Sequence, residues 1–251
     1  MARYDFRTPR IYLEDPLAAG AEVALGRDQA NHLINVLRRK AGDAVLLFNG
    51  RDGEWLATLT GPAKRASALI ERRTREQPAP GDLHFLFAPL KHARLDYLVQ
   101  KAVELGASRL QPVITRHTQV TRVNLERMRA NVIEAAQQCG VLALPEVAEP
   151  VALTDLVEGG EAGRLLVFCD EDAEVKDPVA ALAALRPATG GLPLAVLVGP
   201  EGGFAEEERA LLLKHPRTLR LALGPRILRA DTAGVAALAL MQAVLGDWRE
   251  G

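Results

Sequence analysis

The apolar and polar positions are patterned most clearly in the last quarter of the chain. Two short apolar runs, Leu194-Ala195-Val196-Leu197-Val198 and Thr218-Leu219-Arg220-Leu221-Ala222-Leu223, are bounded by turn residues, which predicts two buried strands. The first ends in Gly199-Pro200-Glu201-Gly202-Gly203-Phe204 and the second in Gly224-Pro225-Arg226-Ile227-Leu228-Arg229. A helical pattern follows each loop, Ala205 to Lys214 and Thr232 to Leu245. Strand, loop and helix in alternation imply an α/β fold with a parallel sheet, whose ligands bind outside the carboxyl ends of the strands.

Upstream, Leu83 to Ala88 reads as a strand. Arg94 to Gly106 reads as a helix, with Leu95, Leu98, Val99, Ala102 and Leu105 at helical spacing and Gly106 as its stop. A further strand ends at Ile114, a capped helix spans Asn124 to Cys139, and another strand spans Leu165 to Cys169. The acidic pair Asp170-Glu171 after that strand either faces a ligand or solvates a loop, and the loop is the favoured reading. The front of the chain differs. Asp28 to Leu37 predicts a helix with Leu33, Val36 and Leu37 on one face, closed by Arg38-Arg39-Lys40. Strand patterns at Ala44–Phe48, Glu54–Leu59 and Ser67–Thr74 surround a Gly-containing hairpin loop, Asn49 to Gly53, and suggest a small barrel. Gln77-Pro78-Ala79-Pro80-Gly81-Asp82 is a linker by composition. The expected organisation is therefore a domain over 1–76, a linker over 77–82 and a domain over 83–251. The last helix is apolar nearly all round and must be buried on every side, either within one subunit or against a second copy.

Composition changes this picture little. A chain of 251 residues with 48% hydrophobic and 25% charged content can bury a sizeable core. The opening residues, Met1 to Arg10, are polar and basic and lack a signal-peptide core. Ala233 to Leu245 is too short to span a bilayer. The two cysteines, Cys139 and Cys169, form no Cys-x-x-Cys, which suggests buried thiols in a reducing cytoplasm. The five histidines show no ligand spacing, so no metal is expected. The net charge of −1 hides an asymmetry: +2 over residues 1–82, +5 over 83–130 and −8 over 131–251. A basic front half is compatible with a nucleic-acid partner and with ordinary solvated charge. Arg3, Arg7 and Arg10 interleave with Tyr4, Phe6 and Tyr12, a mixture suited to phosphate contact and base stacking or to a frayed basic terminus.

The two Gly-Pro loops carry the candidate chemistry. Neither is a phosphate cradle, since no G-x-G-x-x-G and no Gly-Lys-Ser/Thr is present. Glycine admits close backbone approach and proline stiffens the loop. Such loops can offer N–H and C=O groups to a flat polar edge such as adenine, or they can be simple tight turns. Two at equivalent positions, carrying Glu201, Arg226 and Arg229, favour a site.

Val198-Gly199-Pro200-Glu201-Gly202-Gly203-Phe204 together with Leu223-Gly224-Pro225-Arg226-Ile227-Leu228-Arg229 resembles the SPOUT methyltransferases, and within them the ribosomal RNA small subunit methyltransferase E family. Further matches are His32-Leu33, Val36-Leu37-Arg38 and Gly42-Asp43, Lys91, Gln100-Lys101 with Glu104, and Pro145-Glu146-Val147. The resemblance implies a PUA-like RNA-binding domain followed by a SPOUT domain with a trefoil knot. It implies methylation of uridine N3 in small-subunit (16S) ribosomal RNA with S-adenosyl-L-methionine, by a cytoplasmic homodimer joined through its catalytic domains. Other outcomes are a SPOUT enzyme with another RNA target and a non-catalytic RNA-binding protein. The cofactor residues implied are Val198, Gly199, Pro200, Glu201, Gly202, Gly203, Leu221, Ala222, Leu223, Gly224, Ile227, Leu228 and Arg229. Arg229 is also the candidate for orienting cofactor or uracil, unless it pairs with Asp231 or Glu201. Asp231-Thr232 is expected to cap the last helix. RNA contacts are expected at Arg3, Arg7, Arg10, Arg38, Arg39, Lys40, Lys91, Arg116 and Arg226. The chain departs from the family pattern at Arg116-His117, where the family has a Thr-Glu-Arg-Ser-type loop, and at Cys139 and Val141.

Overall fold

A computed structural model describes residues 5–62, 65–120, 122–160, 163–174, 177–186 and 193–249. It contains two compact units, residues 1–80 with 133–144 and residues 81–132 with 145–251.

The first unit is a five-stranded sheet. Its strands are β1 (Arg10–Tyr12), β2 (Glu22–Ala24), β3 (Ala44–Phe48), β4 (Glu54–Thr60) and β5 (Ser67–Arg75), in the order β1-β3-β4-β5-β2. β1 pairs with β3 in parallel and the other pairings are antiparallel. Alternate residues Val45, Leu47, Ala57, Leu59, Ala68 and Ile70 share one apolar core with Ile11, Leu13, Leu17 and Leu33, the half-buried pattern of antiparallel strands.

The helix near residue 30 departs from expectation. It is α1 (Arg27–Ala30), which continues as a π-helical segment, Asn31–Val36. Its start is set by Gln29, whose Oε1 accepts the Gly26 N–H at 2.7 Å, and not by Asp28. The Leu37 N–H donates to the His32 carbonyl, five residues back, at 2.9 Å. That wider turn keeps Leu33 buried but rotates Val36 and Leu37 to 60% and 40% exposure, so the three do not share the expected buried face. Arg38 then adopts φ +55, and the Arg39 N–H donates to the Leu33 carbonyl at 2.9 Å. This is the position glycine usually takes in a helix-ending turn.

Arg10 is 6% exposed and lies inside this unit. Its Nε donates to Glu54 Oε2 at 2.6 Å, and its terminal nitrogens donate to the carbonyls of Gln137 and Asp5, each at 3.2 Å. Glu54 also accepts from Arg75 Nη2 at 2.7 Å. Arg10 is therefore a structural cation, and its assignment to RNA contact is corrected by burial. Burial alone raises the Glu54 carboxyl, but bonds from Arg75, Arg10 and Thr74 outweigh it and hold the group below its ordinary value. Such a group stabilises fully above the ordinary carboxylate range, and its contribution disappears as pH falls through the depressed native value. Glu54→Ala strands a buried arginine and is expected to cost about 3–5 kcal/mol. Chemical denaturation at neutral pH would show it, and a loss below about 1 kcal/mol would rule out the buried pair as a keystone of this unit.

The second unit is built on a parallel sheet. Its elements in chain order are β6 (Leu83–Phe87), α2 (His92–Glu104), β7 (Arg109–Ile114), α3 (Leu125–Cys139), β8 (Glu146–Val147), β9 (Val151–Ala152), α4 (Leu153–Glu158), β10 (Leu165–Cys169), α5 (Pro178–Ala183), β11 (Leu194–Val198), α6 (Glu206–Lys214), β12 (Thr218–Leu221) and α7 (Ala230–Val244). Residues 133–139 of α3 belong to the first unit. The strand order is β12-β10-β11-β6-β7-β8, with β9 beside β7. Both faces of the sheet are covered, which is why β10 and β11 read as unbroken apolar runs. Leu86, Leu166, Phe168, Ala195 and Leu197 pack with Leu153 of α4 and Leu212 of α6. On the other face the α7 backbone comes so close at Gly234 that an added methyl would lie 2.6 Å from Leu98 of α2 and 3.0 Å from Phe85. Arg229, not Asp231, is the N-cap residue of α7; Asp231 lies in the first turn and accepts the Thr232 N–H at 2.8 Å. The all-round burial expected of α7 is not met within one chain: Val235, Ala236, Ala239 and Leu240 are half-buried and Ala243 is exposed. Among the described residues no helix is long and apolar enough to cross a membrane.

Candidate active site

Between β10 and β12 the chain passes to β11 on the far side of β10, so three neighbouring strands release their loops at the same end of the sheet. Those loops enclose a cleft of about 440 Å³, within the range of small-molecule sites. Its wall comes from Cys169 to Glu171 after β10, from Val198 to Glu201 with Gly203 and Phe204 after β11, and from Ala222 to Ala230 with Ala233 after β12. Of the expected cofactor residues, Val198, Gly199, Pro200, Glu201, Gly203, Ala222, Leu223, Gly224, Ile227, Leu228 and Arg229 line it. Gly202 and Leu221 do not. Gly202 faces His117, and Leu221 is 1% exposed at the end of its strand, where its carbonyl accepts the Asp170 N–H at 2.9 Å.

Asp170 corrects a second expectation. It is not a solvated loop residue: its side chain is fully enclosed, and its Oδ2 accepts from Arg209 Nε and Arg220 Nε, each at 2.9 Å. Burial raises this carboxyl, but the Arg209 bond, the Asp172 N–H and the charges of both arginines prevail and hold it below its ordinary value. The same bond raises Arg209. Arg209 also reaches Asp172 at 3.0 Å, Glu206 at 3.7 Å and Glu171 at 3.9 Å. The carboxylates of Asp170, Glu171 and Asp172 come within 4.8 Å of one another, and this guanidinium supplies the countercharge among them. One ionic network therefore joins the ends of β10 and β12 to α6. Cys169, beside it, has its thiol pushed up to about 12 by burial and then by Asp170, so it remains protonated and is a poor nucleophile.

The loop after β11 is held from two sides. Glu201 accepts a hydrogen bond from Arg94 on α2. His117 Nδ1 donates to the carbonyls of Gly202 and Gly203 at 3.0 and 3.2 Å. The Arg116 N–H donates to Glu208 Oε1 at 2.8 Å, and its guanidinium reaches Glu207 at 3.3 Å. The Arg116-His117 departure thus fixes the loop after β7 to the first turn of α6 and to the loop after β11. Lys91 and Arg226 are exposed, and Arg226 lines the cleft. Arg229 forms no ion pair with Asp231 or Glu201, and Glu201 belongs to Arg94. Arg7, Arg38 and Lys40 are exposed on the first unit and Arg39 is half-buried; Arg3 lies outside the described residues.

Comparison with known proteins decides the family. A sequence profile described as an RNA methyltransferase domain matches residues 77–242, and one described as an RNA methyltransferase PUA domain matches residues 25–71. The ribosomal RNA small subunit methyltransferase E of Rickettsia conorii is 31% identical over 92% of this chain and 93% of its own length. The chain belongs to the ribosomal RNA small subunit methyltransferase E family. The family member from Synechocystis is 31% identical over 90% of this chain and 74% of its own length. The crystal structure of the Neisseria gonorrhoeae member, bound to S-adenosyl methionine, superposes with a TM-score of 0.83 at 29% identity, covering 96% of this chain and 99% of that one. The α/β fold with a parallel sheet, expected from the strand pattern, is the family's architecture.

Asp170, Glu171, Phe204, Arg209, Arg220, Ala230 and Ala233 were not singled out as site residues from the sequence. Asp170 carried a usable signal, since an acidic residue directly following an apolar strand stands at the carboxyl edge of the sheet. Arg209 and Arg220 carried none, because an arginine within a helix or strand pattern does not reveal its partner.

Proposed function

We propose that this chain transfers a methyl group from S-adenosyl-L-methionine to N3 of a uridine in small-subunit ribosomal RNA. The observation that carries the reading is the strand-end cleft, on a chain matching over nearly its whole length a relative crystallised with that cofactor. The cleft suits the group. Its glycines leave backbone accessible, and a methyl added at Gly224 (φ +100) would meet no protein atom within 4 Å. Glu171 and Glu201 suit the ligand's ammonium and sulfonium charges, and Arg229 suits its carboxylate. When bound, the cofactor supplies an electrophilic methyl group on a sulfonium sulfur. The protein contributes position: Asp170 with its two arginines, and Arg94 and His117 on the opposite loop, hold the walls so that the reacting atoms meet in line. Arg229 orients cofactor or uracil, and Arg226 meets phosphate.

The division of labour is residues 1–76 for RNA binding, 77–82 as linker and 83–251 for catalysis, save residues 133–144, which belong to the first unit. A cytoplasmic location suits a ribosomal substrate. The half-buried stripe of α7 at Val235, Ala236, Ala239 and Leu240 suits a homodimer joined through the catalytic unit, and the trefoil knot of the SPOUT fold belongs to the same reading. Within the first unit, the Arg38-Arg39-Lys40 corner is the RNA surface. Arg38 occupies a backbone conformation costly for any residue but glycine, and such strain tends to persist where the side chain has work to do. Reversing the three charges is expected to weaken binding to small-subunit RNA about 10-fold or more and to flatten its salt dependence, while leaving cofactor affinity unchanged. Wild-type RNA affinity in a salt titration would reject that surface.

The test of the whole reading is transfer from labelled S-adenosylmethionine to purified small ribosomal subunits, with the product nucleoside identified by mass spectrometry. 3-Methyluridine is the expected product. A different methylated nucleoside would keep the chemistry and reassign the target.

A further inference from the structure

Methylating uridine N3 requires a proton acceptor, because that nitrogen carries its proton at neutral pH. A second cavity, of about 280 Å³, adjoins the cleft and is lined by Pro89, Leu90, Lys91, Arg94, Gln119, Val120 and Glu201. Glu201 lines both cavities. It sits in a turn closed by the Gly203 N–H donating to the Pro200 carbonyl at 3.0 Å. One carboxylate oxygen, Oε1, is held by Arg94, and among the described residues no hydrogen bond or ion pair engages Oε2. The carboxylate is thus oriented by one oxygen and open at the other.

Resting on the methyl-transfer reading above, we propose that the second cavity holds the target uracil and that Glu201 is the general base that removes its N3 proton. The lining suits a uracil. Leu90 and Val120 offer apolar surface to the ring faces. The Lys91 ammonium, the Arg94 guanidinium and the Gln119 amide can donate to O2 and O4, where negative charge grows as the proton leaves. Other acidic or basic groups nearby are placed for different work. Asp170 is enclosed between Arg209 and Arg220. Glu171 lines only the first cleft. His117 lines neither cavity and commits Nδ1 to the loop backbone. In the step, the N3–H bond breaks and the proton passes to Glu201 Oε2. The N3 electron pair forms a bond to the methyl carbon as the methyl–sulfur bond breaks, and that pair stays on sulfur as a neutral thioether. Glu201 then returns its proton to water.

The test is Glu201→Gln in the full-length protein. Cofactor should still bind by calorimetry, weakened no more than about tenfold by the charge taken from the cleft wall, since glutamine keeps the side chain's length and an acceptor oxygen. Transfer to small subunits at neutral pH should fall roughly 100-fold or more, the usual share of a general base. The deficit should shrink as pH rises, and it should shrink on RNA carrying 5-fluorouridine, whose N3 is more acidic. Glu201→Asp should bind cofactor and retain partial transfer. Unchanged transfer, a deficit indifferent to pH and fluorination, or loss of cofactor binding would each overturn the assignment. The two layers separate cleanly. A wild-type enzyme that forms no 3-methyluridine rejects the parent reading, whereas one that does, alongside an equally fast Glu201→Gln variant, rejects only the base.

Discussion

Asp170→Ala is expected to lose cofactor binding and to unfold about 3–5 kcal/mol more easily than the wild type. Its carboxylate is enclosed, and two guanidiniums converge on one oxygen at 2.9 Å. Deleting it leaves two cations partly buried without their anion, and breaking a buried pair from one side is far costlier than replacing it whole. For a chain of this size the stability loss corresponds to a fall in Tm of roughly 6–20 °C. Asp170→Asn keeps the shape and removes the charge, so it separates electrostatics from packing. The pH dependence has a definite sign. Because the native carboxyl titrates below its ordinary value, its stabilisation is complete above the ordinary carboxylate range and is lost as pH falls through the native value. The variants should therefore show a shallower decline of Tm on acidification than the wild type. Calorimetric affinity and a Tm series from pH 7 downward test both limbs. Wild-type values for both variants would remove the network from any role in shaping the cleft.

The two units share this device. Glu54 with Arg10 and Arg75, and Asp170 with Arg209 and Arg220, each place one buried carboxylate between two arginines far apart in sequence. Neither was legible beforehand, and the reason is physical. Apolar periodicity reports which face of an element is buried, so Leu165–Cys169, Leu194–Val198 and the inward Leu95, Leu98, Val99 and Ala102 of α2 were read correctly, while Val103 was missed and Leu105 lies past the helix end. It says nothing about which charge meets which across 39, 44 or 50 residues of chain. Hence Arg10 looked like a phosphate contact and Asp170 like a solvated turn. α1 failed for a different reason. A π-helical turn changes the register by one residue without changing composition, so Val36 and Leu37 emerged on the surface although their spacing fits an α-helix. The short helices α4 and α5 were not anticipated, because six residues carry too little periodicity to stand out. The cleft was the legible part. Its two Gly-Pro loops follow strands whose pattern is unambiguous, and their side chains and backbone line most of the wall.

Gly203→Val should abolish cofactor binding while leaving the unfolding transition close to that of the wild type. Three glycines of the loop after β11 differ in what a side chain would meet. At Gly199 a methyl would lie 2.8 Å from the Phe204 ring, which is buried in the core, so substitution there damages the fold itself. At Gly202 it would press His117 at 3.1 Å, and that exposed side chain can yield. At Gly203 the nearest atom, Glu171 Oε1 at 2.8 Å, is the tip of a flexible carboxylate, so steric contact is not the deciding term. The backbone is: φ is +66, which a β-branched residue strongly resists. Valine must rotate the peptide, at an expense of about 1–3 kcal/mol if it stays and the loss of the native loop path if it does not. Rotation breaks the Gly203 N–H bond to the Pro200 carbonyl and moves the carbonyls that His117 holds. The loop then swings Glu171 or itself into the cleft, where the ligand needs open backbone. Gly203 is buried but belongs to no strand, and the carboxylate tip it meets can move, so the cost falls on the loop and little of it on the core. Titration calorimetry should show at least a ~30-fold loss of affinity, the factor that about 2 kcal/mol commands. A Kd within threefold of wild type would mean that this backbone does not border the cofactor and that the wall after β12 carries the binding alone.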